Sequence, residues 1–598
     1  MTPFVGRFGP ERLADGRINF RLWAPAAQCV ELMLEGEAHA MTAMSGGWYE
    51  LAEPQAESWT RYRFRIDGEL VVPDPASHYQ PNDVSGPSVV VDHAAYRWHG
   101  STWRGRPWHE AAIYELHIGA FSPQGTFRGA IENLDHLVAS GFTAVELMPV
   151  ADFPGARNWG YDGVLLFAPD STYGTPDDLK ALIDAAHQRG LMVFLDVVYN
   201  HFGPEGNYLP VYAPDFFTKD VPTPWGAAID YARDEVRAFV VQNALHWLRD
   251  YRFDGLRLDA VHAIRTRGAP SILDLIADVV GALAEAQDRQ IHLILENDDN
   301  CADLLDPNAM HRGYRAQWND DYHHAWHVLM TGESTGYYED YQKPFAMLRR
   351  ALMEGFVYQG EISKHRGGAR RGQKSRAIPP LGFVNFLQNH DQIGNRPYGD
   401  RLEVLAPRTA IESALAITLL APFTPMLFMG EEWGCRQPFP FFCDFTGDLA
   451  RAVEEGRRRE FAQAYQQAKD GGEPPSALDP QTFLAAKLDW SGWDQDALER
   501  YELVRLLLVM RQREIVPRLQ GARPVRTDSL GAAKPIALLT WTLADGAGLT
   551  LLANLSAQSV PCELAFPNIE PLWGRAPDST LPPTKLAPWQ AVWWLEAT

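Results

Sequence analysis

The chain is short of cysteine, with five in 598 residues, scattered at Cys29, Cys301, Cys435, Cys443 and Cys562. No pair has CxxC or zinc-like spacing, so neither a disulfide framework nor a structural metal is indicated. Basic residues are outnumbered, 54 Lys and Arg against 76 Asp and Glu, giving a formal net charge of -22. That balance argues against nucleic acid and anionic membrane surfaces as partners. Long apolar runs are missing too. No window approaches the roughly 20 residues of a bilayer span, and the opening MTPFVGRFGPERLADGR has no apolar signal core. A cytoplasmic enzyme with a neutral substrate is the expectation. Aromatic residues, in contrast, are plentiful at 19 Trp, 21 Tyr and 28 Phe. Large cores absorb most of these, and sugar rings stack well on flat faces.

A chain this long predicts two or three domains. The segments INFRLWAPAAQCVELML, GWYELAEP and RYRFRIDGELVVPDP alternate apolar with polar between Pro, Gly and Asp turns. They predict an N-terminal β-sandwich over 1–95, similar to glucan-binding modules. From about Ala111, short apolar strands alternate with amphipathic helical segments, the pattern of a parallel α/β sheet. AAIYELHIG, TAVELMPV, LMVFLDVVYN, DGLRLDAV, IHLILE, YRAQWND, LGFVNFLQN and TPMLFMG supply eight strands, which predicts a closed (β/α)8 TIM barrel over 96–522. An irregular, turn-rich insertion at about 202–233 should overhang the barrel mouth. The basic stretch SKHRGGARRGQKSR reads either as a solvated loop or as a lid touching substrate. A return to strands predicts a C-terminal antiparallel β-domain over 523–598.

Asp259, Glu296 and Asp391 each sit where an apolar strand runs out, in FDGLRLDAVHAI, IHLILEND and GFVNFLQNHD. Barrel enzymes place their chemistry at that end of the strand. Three buried carboxylates in one mouth repel one another unless a reaction uses them. Glycosidic-bond cleavage needs paired carboxyls, one as nucleophile and one as proton donor. Arg257, two residues before Asp259, shares its face of the strand and would hold it ionised; an inward structural ion pair is the alternative. Glu296 ends the neighbouring strand, about 4.7 Å away. That spacing favours the roughly 5–5.5 Å carboxyl separation of retaining enzymes. Beside Asp259 its pKa should be raised, which suits proton donation; Asp298 and Asp299 follow it as rivals for the role. Asp391 would then bond sugar hydroxyls and stabilise oxocarbenium character.

His201 in DVVYNH and His390 in QNHD sit at strand ends beside carboxylates and favour hydroxyl recognition. A metal is the other reading, but no HExxH or His-carboxylate spacing supports one, so neither metal nor cofactor is expected. NWGYDG offers Tyr161 as a stacking platform, with Trp159 and Asp162 nearby, unless it is a core turn.

In order, DVVYNH, DGLRLDAVHAI, LENDD and QNHDQIGNR resemble the motifs of the α-amylase superfamily of glycoside hydrolases, and the likeness spans nearly the whole chain. It implies a retaining mechanism with Asp259 as nucleophile, Glu296 as acid/base and Asp391 as transition-state stabiliser. Tyr161, His201, Arg257 and His390 match positions around the reacting sugar. QWNDDYHHAWHVLMTGE, FMGEEWGCRQPFPFFCDF and GRRREF resemble maltooligosyltrehalose trehalohydrolases in particular. That resemblance implies cleavage of the α-1,4 bond next to a terminal trehalose. It also implies maltooligosyltrehalose and related α-1,4-glucans as partners, and no calcium at Asn200. A pocket for trehalose would draw on Asp320, Asp321, His323, His324 and Trp433, unless these are solvated loop polars or packing aromatics. An α-1,4-glucan branching transferase is the competing enzyme, and a non-catalytic glucan-binding protein the competing class.

Overall fold

Burial alternates along the early strands, as in Val30–Leu34 and Arg61–Ile66, so one face of each meets a core and the other meets water. The computed structural model describes residues 8–223, 226–264, 271–306, 313–467, 472–527, 533–577 and 585–597. The opening heptapeptide, two residues of the 202–233 insertion and the proline starting PSILDLIADVV lie outside that set. The N-terminal strands form a four-stranded and a five-stranded sheet, the expected sandwich.

The barrel closes as predicted, in sequence order, from eight parallel strands. These are β1 (Ile113–Leu116), β2 (Ala144–Leu147), β3 (Met192–Val197), β4 (Gly255–Leu258), β5 (His292–Leu295), β6 (Tyr314–Trp318), β7 (Phe383–Asn385) and β8 (Thr424–Phe428). The lower interior is apolar. Ile113, Ala144, Met192, Phe194, Ile294, Ala316 and Met426 fill it, and Trp108 packs with them. Above this plug, Glu115, Glu146, Asp196 and Arg257 are buried near the carboxyl ends of β1 to β4. The layering lets a packed core carry a polar mouth.

Between the strands, Pro176–Gln188 starts with a capping box from Thr175 and Asp178 and carries Pro in its first turn, as its TPDDLK sequence dictates. The 202–233 insertion is more ordered than its sequence suggested. It contains a short helix, Leu209–Tyr212, and a hairpin of Phe217–Thr223 with Gly226–Ile229. Its prolines broke the alternation that would have shown the hairpin. The insertion is tied to the sandwich by Trp23 against Phe216 at 5.3 Å and by the Ala26 N–H donating to the Tyr212 carbonyl.

After the barrel, Arg523–Thr527, Ile536–Thr542, Gly548–Asn554 and Ala591–Glu596 form a four-stranded antiparallel sheet. The buried Arg349 guanidinium reaches over from the barrel and donates to the carbonyls of Lys534 and Ile536. Among the described residues, no helix is long and apolar enough to cross a membrane.

Candidate active site

Strand register brings the first two acids level. Leu258 pairs with Leu295, so Asp259 and Glu296 leave β4 and β5 at the same height. The Glu296 N–H donates to the Leu258 carbonyl, and the chain after Asp259 turns through Ala260 in the left-handed region, at φ 43°. That conformation costs an alanine roughly 1 kcal/mol. It aims the Ala260 N–H at the Glu296 carboxylate, 2.6 Å away. Local strain is thus spent on fixing the orientation of one acid beside another.

Arg257 is fully buried and gathers the cluster. Its Nη1 donates to Asp196 and to Asp259, each at 2.7 Å, and its Nη2 lies 4.0 Å from Glu296. The guanidinium sits 4.1 Å over the Trp318 ring, so an aromatic face covers the side the acids leave open. Asn200 donates to the other Asp259 oxygen at 2.9 Å. Both oxygens of Asp259 are therefore held, one of them by a charge-assisted bond.

Glu296 is in the opposite situation. Burial pushes its pKa well above the ordinary carboxylate range, and the negative charges of Asp259, Asp320 and Asp391 add to the shift against the pull of Arg257. A carboxyl with its pKa raised in this way is suited to donating a proton. Asp391 opens a short helix, His390–Gly394, capped by Asn389, and stays half-exposed at 48%. Its Oδ1 lies 3.6 Å from His390 Nε2.

Tyr161 donates to Asp196 at 2.6 Å and stacks on the His390 ring at 5.1 Å. His201 Nε2 bonds the Tyr161 carbonyl at 2.9 Å, so the two are held as a unit. Trp159 lies one layer back, stacked on Phe439 and edge-on to His390. Asp162 accepts from Asn158 and buttresses the same turn. Two glycines, one in the turn and one facing it, make room for it. Gly160 has φ 104°, and a Cβ there would lie 2.1 Å from the Pro149 carbonyl oxygen. A Cβ on Gly394 would strike the Trp159 ring at 1.8 Å.

A cavity of about 200 Å³ opens on the Glu296 side of this cluster. Glu296, Trp318, Asp320, His324, Tyr337 and Asp391 are among its walls. Asp320 belongs to this wall, with its pKa raised to about 7 by burial and then by Asp298. Three residues expected at the trehalose pocket are placed elsewhere. Asp321 is fully buried beneath the wall, where it accepts from Asn300, Arg371 and the backbone N–H groups of Val357 and Tyr358. His323 bonds the Leu387 carbonyl and the Tyr338 hydroxyl. Trp433 packs on Trp490 and Trp493 and borders a separate cavity of about 600 Å³ with Arg408, Asp489 and Arg500. Consecutive helical residues point in different directions, so a DDYHH run cannot present all its polar groups to one pocket.

The sequence reading missed Arg366 and Arg371. They lie in the basic stretch, which folds as a hairpin of Glu361–Ile362 with Arg370–Arg371 and supplies wall residues to the cavity. Arg366 pairs with Asp298 and Asp299, and Arg371 with Asp298 and Asp321. Burial alone would raise Asp298, but these two guanidinium groups pull it below the ordinary value. Asp298 and Asp299 are thereby both engaged by guanidinium groups.

Away from the cleft, the ring nitrogens of His78, His93 and His246 come within 4.8 Å of one another. Both His246 nitrogens are already engaged, by Asp250 and by the Phe167 carbonyl. This trio is a packed ring cluster between the N-terminal segment and the barrel.

Residues 96–220 match the alpha amylase catalytic domain, 7–78 carbohydrate-binding module 48 (the isoamylase N-terminal domain), and 531–593 a domain of unknown function. The malto-oligosyltrehalose trehalohydrolase of Deinococcus radiodurans is 42% identical over 516 residues, 85% of this chain and 84% of that one. The one from Saccharolobus solfataricus is 39% identical over 81% of this chain and 83% of its own. A solved structure from Salmonella typhimurium, provisionally named an alpha amylase, superposes with a TM-score of 0.92 at 44% identity, covering 99% of this chain and 100% of that one. A pullulanase from Paenibacillus barengoltzii, at 20% identity and TM-score 0.69 over 99% of this chain and 95% of its own, shares the fold. With identity of this order over most of both chains, and with the acids grouped on a closed barrel, the chain belongs to the malto-oligosyltrehalose trehalohydrolase family.

Proposed function

We propose that this chain hydrolyses the α-1,4-glucosidic bond next to the terminal trehalose of maltooligosyltrehalose, releasing trehalose and a shorter maltooligosaccharide, with retention at the anomeric carbon. Asp259, its two oxygens held by Arg257 and Asn200, attacks the anomeric carbon while Glu296 gives its proton to the departing oxygen. Trehalose leaves, and a glucosyl ester on Asp259 remains. Glu296, now ionised, takes a proton from water, whose oxygen displaces Asp259 and restores both groups. Asp391 and His390 bond the hydroxyls of the reacting sugar, and Tyr161 forms its platform.

The observation that carries the trehalose assignment is the cavity on the Glu296 side. The acid protonates the leaving group, so the leaving group lies beside it. There His324, Tyr337 and Asp340 present a polar, aromatic pocket, backed by the two arginines of the hairpin. A bent, non-reducing disaccharide suits an enclosed pocket better than an open groove. In this reading the chain divides at about 95 and 522, and the enzyme works in the cytoplasm. Incubation with maltooligosyltrehalose tests it, with free trehalose as the expected product. No trehalose, together with new α-1,6 branches on amylose, would establish a branching transferase instead.

A further inference from the structure

We propose that Glu115, on the first barrel strand, is a positioning residue for the hydrolysis, fixing His390 as an imidazolium whose Nε2–H faces Asp391 and the reacting sugar. The inference rests on the reading of the site given above.

Three contacts define the arrangement. The His390 Nδ1 meets Glu115 Oε1 in a short hydrogen bond, and the His390 backbone N–H donates to Glu115 Oε2 at 3.4 Å. On the far side of the ring, Nε2 lies 3.6 Å from Asp391. Tyr161 covers one ring face, and Trp159 meets the ring edge-on. A carboxylate thus holds each end of a buried ring. A neutral imidazole donating to Glu115 would turn its Nε2 lone pair toward Asp391, repelling the carboxylate and accepting where the sugar needs a donor.

The other charged and titratable groups around the ring are Glu146 on β2, Arg257 on β4, Tyr161 and His117. Arg257 is committed to Asp196 and Asp259. His117 bonds the Asn158 carbonyl, and burial lowers its pKa to about 4. Glu146 is the register partner of Glu115 but has neither oxygen bonded among the described residues, and burial raises its pKa well above the ordinary range. Of the two strand acids, Glu115 is therefore the one bonded to the ring. For His390, burial works against the charge, but Glu115 and Asp391 override it and raise the pKa to about 9.

The test is nitrogen NMR of the full-length protein labelled at histidine, with the His390 signal assigned by its loss in His390→Asn. The wild-type ring should stay doubly protonated to about pH 9. In Glu115→Gln it should lose its proton at or below the ordinary value of about 6.5. In Glu146→Gln its titration should stay in place. On substrate, Glu115→Gln should cut kcat/KM at neutral pH by about 10–100-fold. Its pH optimum should move about 1–2 units toward acid, and Glu115→Asp should restore part of the rate. A neutral His390 in the wild type at pH 7, or a folded Glu115→Gln with a profile parallel to wild type, would overturn the proposal. If Glu115→Gln does not fold, the wild-type titration decides alone. That titration reads out even if the wild type releases no trehalose, so the two failures are distinguishable.

Discussion

Asp259→Asn preserves the shape of a side chain whose two oxygens Arg257 and Asn200 hold. Turnover should fall by about 10⁴-fold or more, with the thermal melt unchanged to within a few degrees; a near-normal rate would remove the nucleophile assignment. In the proposed mechanism Glu296 works in its protonated form, so activity should be lost as pH rises through its elevated pKa. Asp320 is one of the charges that elevates it. Asp320→Asn makes Glu296 ionise more readily, and the alkaline limb of kcat/KM should shift acid-ward by less than about one unit; a shift the other way would contradict the assigned cause. Trp433→Ala should leave the discrimination between trehalose-ended and plain maltooligosaccharides unchanged, while destabilising the protein by about 3–5 kcal/mol through the cavity it opens. Unfolding curves and paired KM values check both halves. At this scale the sequence showed the strand-end acids, because a charge closing an apolar run is conspicuous. It showed less of Glu115 and Glu146, which interrupt the runs IYEL and VEL where an alternating strand would also place a polar residue. Packing around the ring, and not spacing, distinguishes them.

The element that shapes the proposed leaving-group pocket is the hairpin of Glu361–Ile362 with Arg370–Arg371. Its Arg371 is buried and bridges Asp298 after β5 to Asp321 in the helix after β6. Arg371→Ala would leave the fully buried Asp321 without its cation and Asp298 with Arg366 alone, and breaking a buried pair costs about 3–5 kcal/mol. The expected signature is a melting temperature lowered by several degrees and a KM that rises more for maltooligosyltrehalose than for maltooligosaccharides. Equal rises would place the hairpin outside the specificity pocket. Strands were legible because barrel interiors demand short apolar runs, and even the least regular, YRAQWND, forms β6. The hairpins were not, since paired two-residue strands leave no periodicity and the 217–229 hairpin contains proline.

Across the whole molecule, the sandwich and the barrel share apolar surface. Phe8 packs on Trp48 of the sandwich and on Phe239 of the barrel, at 4.8 and 5.0 Å. Gln242 bonds both backbone polar groups of Phe8. A chain starting after residue 95 would expose Phe239 and the 209–217 segment to water, and it should aggregate on expression; a monodisperse, active truncation would show that the sandwich is dispensable. Domain order was readable from composition shifts, whereas this clamp depends on aromatic contacts that no local pattern encodes. The central claim is that Asp259 and Glu296 act as nucleophile and acid on a trehalose leaving group. Proton NMR of the wild-type enzyme acting on maltooligosyltrehalose tests it most directly. The account predicts free trehalose together with a new reducing end that appears first as the α anomer and then mutarotates. Initial release of the β anomer, or the absence of trehalose, would contradict it.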